Sequence, residues 1–347
     1  MADVTVKIAC HCQLTSFSVS IPPSALPLKS ALCHCSSCRH ATGQLFATWA
    51  VIPAVLPPGV LDATGDGKLV KYASSATCQR WFCRRCGASV INVDGGQGEE
   101  EWEVGTGVLY FDDQHQAGIT GKLNRVQLWV EDVKGDGGAV GWINQGKLQG
   151  MDRHWRGRDS TMVNDDEVRD LMTRKADVRD DTERLVAQCH CQNVRFEISR
   201  PPSSDYNAGT GKFEAGLDAC TSCRTVTGLE ITCWATVPRS LIVVVGADSD
   251  LESLLANTVR LGHYKTSVDV SRYFCAKCGA TVFYYKHGLK TIDIGLGLLV
   301  PTTEGAVRVE SWLAWQKYPK CLGYEEDAVD TAFVRNLKEG IKHWKGS

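Results

Sequence analysis

No stretch of this 347-residue chain approaches the roughly 18 consecutive apolar residues of a membrane span, which excludes an expected transmembrane helix. No block of Lys or Arg stands out and the formal net charge is −2. A nucleic-acid surface needs many phosphate-neutralising cations on one face, so nucleic acid is not an expected partner. The opening MADVTVKIACHC has no basic region followed by an apolar run, and the closing KHWKGS carries no recognised anchor or retention signal. A reducing, cytoplasmic setting is the resulting expectation. Catalytic serine motifs, phosphate loops and nucleotide fingerprints are also missing. The GTG at Gly105 to Gly107 is too short and sits in a strand context. With 43% hydrophobic and 22% charged residues, the chain reads as globular and long enough for two ordinary domains.

What the chain does have is cysteine, sixteen in all. In a reducing compartment these read as metal ligands rather than disulfides. The segment LCHCSSCRHATG, Leu32 to Gly43, places Cys33, Cys35 and Cys38 within six residues. Three close thiolates read as a soft-metal site, either left open at a fourth position or closed by a distant residue.

The chain is one unit written twice. IACHCQLTSFSV from Ile8 returns as AQCHCQNVRFEI from Ala187, and LCHCSSCRHATG returns as LDACTSCRTVTG from Leu217. FATWAVIP returns as TCWATVP ending at Pro238, and RWFCRRCGASV from Arg80 returns as RYFCAKCGATV from Arg272. EVGTGVL returns as DIGLGLL, and RVQLW from Arg125 pairs with RVESW from Arg308. Most of these segments alternate with period two, as Phe17, Val19 and Ile21 do against Ser16, Ser18 and Ser20, so half-buried strands are expected. The fold class is mainly β: two tandem zinc-stapled domains of antiparallel sheet at 1–150 and 185–322. Between them, 18 of the 33 residues from Asp152 to Arg184 are charged, which reads as a solvated connector over 151–184. A short helix is expected there, where Val168, Leu171 and Met172 share a face. A C-terminal helix is expected within 323–347, from Glu325 to Trp344, with Val329, Ala332, Phe333, Leu337, Ile341 and Trp344 on one face and acids at its start.

Cys10 and Cys12 with Cys83 and Cys86 make one four-cysteine set; Cys189, Cys191, Cys275 and Cys278 make the other. Each reads as a structural zinc clip, because a redox Cys-x-x-Cys would need a βαβ context that is absent. His11 and His190 stand between ligands, on the opposite face of an extended segment, and are expected to pack or hydrogen-bond instead. Cys78, Cys233 and Cys321 read as buried free thiols, with Cys233 an alternative ligand for the second copy. In that copy Asp218 and Ala219 replace Cys33 and His34, which leaves Asp218, Cys220 and Cys223 as a weak or empty site.

Together these residues resemble the glutathione-dependent formaldehyde-activating enzyme and centromere protein V family. Its pattern is Cys-x-Cys, then Cys-His-Cys-x-x-Cys-Arg-x-x-x-Gly, then Phe-Cys-x-x-Cys-Gly. The first copy matches all three blocks and the second matches the middle one in part. The resemblance implies a β-tent fold, structural zinc, a further zinc at Cys33, Cys35 and Cys38, and carbon–sulfur lyase chemistry on adducts of glutathione or another small thiol. Arg39, beside the last ligand, is a candidate to pair with a substrate carboxylate. Survival of its counterpart Arg224 favours a structural role instead. His34 is a candidate to orient a ligand. Trp49 and Trp234 read as core. Two other readings stay open: a non-catalytic zinc-stapled binding module, and a specialised-metabolite enzyme on the same fold.

Overall fold

The structure is a computed structural model that describes residues 2–62, 67–95, 102–111, 119–143, 150–173, 182–201, 210–246 and 250–344. The first copy supplies β1 (Val4–Ala9), β2 (Ser16–Ile21), β3 (Leu28–Cys33), β4 (Ala47–Ile52), β5 (Leu69–Ala73), β6 (Cys78–Cys83), β7 (Ser89–Asp94), β8 (Trp102–Gly105), β9 (Leu109–Phe111) and β10 (Leu123–Leu128). The second supplies β11 (Arg184–Gln188), β12 (Arg195–Ser199), β13 (Phe213–Asp218), β14 (Thr232–Pro238), β15 (Ile242–Val244), β16 (Leu261–Ser267), β17 (Val270–Cys275), β18 (Thr281–Lys286), β19 (Thr291–Gly295), β20 (Leu313–Trp315) and β21 (Leu322–Gly323). The helices are α1 (Ser36–Thr42), α2 (Asp165–Thr173), α3 (Thr221–Thr227), α4 (Leu251–Ala256) and α5 (Thr331–His343).

The larger sheets repeat one another strand for strand. The order β10-β3-β4-β8-β7-β6-β5 in the first copy becomes β20-β13-β14-β19-β18-β17-β16 in the second. Pairing is antiparallel except at one edge, where β10 runs parallel to β3 and both β20 and β21 run parallel to β13. A small sheet, β2-β1-β9 or β11-β12-β15, accompanies each.

That edge corrects the last sequence match. Leu123 pairs with Leu28 and Leu313 with Phe213, and the chain enters these strands through equivalent hydrogen bonds, Leu28 to Lys122 and Phe213 to Trp312. Arg125 therefore sits inside β10, whereas Arg308 precedes β20 and donates to Gly138 O. RVQLW and RVESW are alike in letters and not in place. The true counterpart of Trp129 is Tyr324: each follows the parallel strand in a left-handed conformation, at φ 61° and 55°.

The copies interlock reciprocally. The His11 amide donates to Thr225 O and the His190 amide to His40 O; the Gly107 amide donates to Gly228 O and the Gly297 amide to Gly43 O. Gly43 and Gly228 end α1 and α3 at φ 73° and 84°, a conformation glycine adopts without strain. A Cβ at Gly43 would run into Thr281 O of the second copy, and one at Gly228 into Ser89 O of the first. One apolar core runs through both copies, joining Leu32, Phe46 and Trp142 to Phe196, Phe283 and Trp312.

Two expectations for the connecting segments are revised. The start of the connector is not simply solvated: Arg153 and Val163 are buried, and α2 buries Val168 and Leu171, with Gly137 and Gly141 giving room to Leu171 and Met172. Residues 174–181 and 345–347 lie outside the described residues. The C-terminal helix begins at Thr331, not Glu325, because Asp330 caps it by accepting the Phe333 amide at 3.0 Å. It lies against the first copy, where Trp344 meets the Trp142 ring edge-on.

Candidate metal centres

β1 delivers Cys10 and a turn through Gln13, at φ 59°, returns Cys12 beside it. β6 ends in Cys83 and the turn into β7 adds Cys86. The Sγ separations are 3.5 Å for Cys10–Cys12, 3.6 Å for Cys10–Cys83 and 3.5 Å for Cys12–Cys83. Disulfide sulfurs would lie about 2.0 Å apart. Four thiolates held tetrahedrally at about 2.3 Å from an ion would lie about 3.8 Å apart. The geometry therefore fits an ion-centred cluster. Cys189, Cys191, Cys275 and Cys278 form its repeat, with 3.6 Å from Cys189 to Cys191 and 3.5 Å from Cys191 to Cys275. The two intervening histidines hydrogen-bond across the copies, His11 Nδ1 to the Tyr264 hydroxyl at 2.9 Å and His190 Nδ1 to the Tyr72 hydroxyl at 2.6 Å.

The triple cysteine is built at the junction of β3 and α1. Cys33 closes the strand, Cys35 caps the helix by accepting the Cys38 amide on Sγ at 3.2 Å, and Cys38 lies in the first turn. The three Sγ atoms fall within 4.8 Å of one another, and among the described residues no fourth Cys, His, Asp or Glu atom joins them. His34 is turned away and fully buried, with its Nε2 3.0 Å from Gln127 Oε1. Burial pushes its pKa down to about 4, so the ring is neutral near pH 7. Arg39 is 3% exposed and donates to Ser36 Oγ at 3.3 Å. Its counterpart Arg224 donates to Gly107 O across the copy boundary at 2.8 Å.

Sequence reasoning missed three residues here, Arg80, Asn92 and Glu103. Arg80, on β6, is buried and donates from Nη2 to Cys38 Sγ at 3.2 Å and from Nε to Ser74 Oγ at 2.9 Å. Its Nη1 has no hydrogen-bond partner among the described residues. Across the sheet Arg80 pairs with Asn92, and Asn92 with Glu103, so the three side chains form a row on one face. Asn92 Nδ2 donates to Glu103 Oε2 at 2.6 Å. Burial raises the Glu103 carboxyl to about 6, opposed by that hydrogen bond. The available signal was an arginine recurring inside an apolar strand, in RWFC and again in RYFC.

The glutathione-dependent formaldehyde-activating enzyme family matches residues 5–130 and again 184–314. The chain belongs to that family, as a tandem pair. It is 30% identical over 93 residues to a putative glutathione-dependent formaldehyde-activating enzyme of Sordaria macrospora, a match over 24% of this chain. The chain spans about a third (34%) of that relative's length. No helix among the described residues is long and apolar enough to cross a membrane.

Against the first copy's triple cysteine, the second copy differs at one of the three clustered positions. Cys220 caps α3 and accepts the Cys223 amide at 3.2 Å, reproducing Cys35 and Cys38. Asp218 stands in place of Cys33 and also accepts the Cys220 amide, at 2.9 Å. The ligand atoms of Asp218, Cys220 and Cys223 lie within 4.8 Å of one another. Arg272 repeats Arg80, with Nη2 3.3 Å from Cys223 Sγ. Cys233 is not part of this cluster; it is fully buried, and its amide donates to Gln44 Oε1 at 2.6 Å. Cys321 is buried, while Cys78 is half-buried and donates to Asn92 Oδ1 at 3.1 Å. Trp49 is buried, as a core residue should be, and Trp234 only partly so.

Proposed function

We propose that the chain is a zinc-dependent enzyme that makes or breaks carbon–sulfur bonds on glutathione or a similar small thiol, with Cys33, Cys35 and Cys38 of the first copy as its reaction centre. The observation that carries this reading is the convergence of three thiols, with no fourth Cys, His, Asp or Glu beside them among the described residues, next to a buried guanidinium. The two four-cysteine sets are structural in this reading. Zinc bound at the triple cysteine would supply a position for a substrate sulfur, held as thiolate. Three thiolate donors suit a soft sulfur ligand better than hydroxide. The names of the family and of the Sordaria relative point to glutathione and formaldehyde. Cytoplasm, where glutathione is kept reduced, is the setting such chemistry fits.

In the addition direction a sulfur lone pair forms the C–S bond, the carbonyl π pair moves to oxygen, and oxygen gains a proton as the thiol loses one. Glu103 is the group suited to carry that proton, because its carboxyl titrates near 6. Asn92 orients it, and Arg80 holds Cys38 as thiolate by supplying the opposite charge. Arg39, nearly enclosed beside Ser36, fits a role in shaping the turn that carries the ligands better than one in gripping substrate.

The test is turnover of glutathione with a panel of aldehydes, followed by NMR of the S-hydroxyalkyl adduct. Cys35→Ala should abolish turnover and Cys220→Ala should leave it within a few-fold. The reverse pattern would refute the assignment to the first copy. No reaction from the wild type with any aldehyde or thioether would favour the binding-module reading instead.

A further inference from the structure

The second copy's middle cluster keeps two of the first one's three sulfurs and its buried arginine, while Asp218 and Ala219 replace Cys33 and His34. The thiols of Cys220 and Cys223 have the same helix-capping geometry, with Cys220 at φ −60°, ψ 147° where Cys35 has −62°, 149°. The same buried guanidinium stands against the third ligand, at 3.3 Å rather than 3.2 Å. Arg272 is 4% exposed, and its Nε and Nη1 have no hydrogen-bond partner among the described residues. It lies over the Tyr284 ring, 4.2 Å from the centroid, and Nη2 also donates to Ser222 Oγ at 3.5 Å.

A buried cation needs compensating charge. Three anionic ligands, one divalent ion and one guanidinium sum to zero. Without an ion the set is neutral only if both thiols stay protonated and Asp218 alone balances Arg272; an ion lets both sulfurs bind as thiolates at the same net charge. Only one oxygen of Asp218 accepts the Cys220 amide, which leaves Oδ2 available as a ligand.

We propose that Asp218, Cys220 and Cys223 form a fourth metal site, harder than the first copy's, whose open position takes an oxygen donor, water or a carboxylate, instead of a thiol. This departs from the weak or empty site expected from sequence. Replacing a thiolate by a carboxylate lowers electron donation to the ion and shifts its preference toward oxygen. Arg272 Nη2 is engaged with Cys223 Sγ and Ser222 Oγ, which leaves Nε–H and Nη1–H each able to donate singly to an oxygen acceptor. Along the same sheet face Asp293, held by Thr236 Oγ1 at 2.6 Å, takes the place of Glu103. The inference does not depend on the proposed reaction, because its test reads metal and not turnover.

The full-length protein, purified with its metals and counted by elemental analysis, should carry four divalent ions per chain and Asp218→Asn three. Asparagine keeps an oxygen to accept the Cys220 amide, so the turn survives while the anionic ligand is lost. Three ions in the wild type, or four in Asp218→Asn, would overturn the site. Should Asp218→Asn fail to fold, Cys220→Ser decides: it should hold three ions, and four would overturn the site equally. For the ligand class, cobalt-loaded Cys35→Ser protein should show its visible bands shifted by acetate at lower concentration than by N-acetylcysteine. The opposite order would refute the oxygen assignment.

Discussion

Glu103 holds its proton closer to neutrality than a carboxyl in water does, because burial costs the charged form more than the hydrogen bond from Asn92 returns. A carboxyl whose folded pKa lies above its unfolded value stabilises the fold fully only below the unfolded value. That contribution is lost as pH rises from the ordinary 4.5 through about 6. The loss amounts to about 2 kcal/mol. Glu103→Gln retains an acceptor for Asn92 and removes the titration. Its stability relative to wild type, from denaturant unfolding at matched pH, should rise by about 2 kcal/mol between pH 4 and 7. A flat difference across that range would show that the carboxyl titrates normally. Turnover at pH 7 should fall about a hundredfold if this carboxyl carries the proton. Glu103 was not legible beforehand, and Arg80 only through its recurrence in the second copy as Arg272. On a strand with period two, a polar residue alternating with apolar ones reads as facing solvent. What turns this face inward is the position of Cys38 on α1, set by tertiary packing that no local pattern encodes.

Among the elements, α1 and α3 are short helices whose ends do two things at once. Gly43 supplies the left-handed cap and also the bare backbone against which the second copy's Thr281 carbonyl packs. Gly59 shares the conformation, at φ 79°, with nothing within 4 Å of where a Cβ would lie. Gly59→Ala should therefore cost about 1–2 kcal/mol, from the backbone alone. Gly43→Ala should cost about 2–5 kcal/mol, because overpacking adds to the same strain. Equal shifts in the two melting curves would mean that the close approach carries no energy. The elements themselves were largely readable. Alternation marked the strands, and cysteine spacing marked which strand ends meet, because ligands of one ion must converge. Register was less readable: RVESW matched RVQLW by composition, yet the parallel edge aligns β10 with β20 and β21. The start of α5 was misread because acids at 325–327 mimic a helix first turn, while the true cap is Asp330.

For the whole molecule, one apolar cluster and one buried charge cluster span both copies, beside a second apolar cluster that belongs almost wholly to the first. Arg125 of the first copy meets Glu230 of the second at 2.8 Å and Asp330, ahead of α5, at 2.9 Å, with all three side chains less than one-tenth exposed. Removing one partner from such a set strands the others. Arg125→Met should cost about 3–5 kcal/mol. The intact chain should unfold in a single transition, and the variant should lower that transition without splitting it. Two resolved transitions in calorimetry, one per copy, would show that the interlocking is superficial.

The reciprocal contacts between the copies have the form of an isologous dimer interface, the same patch used twice. In a dimer of identical chains, any change at one centre is made at both. Joined in one polypeptide, equivalent positions are released from that constraint, and Cys33 and Asp218 can face the same surroundings with different atoms. The molecule is in effect a heterodimer whose subunits are always present in equal number, with two unlike centres kept in register by an interface that neither copy can leave.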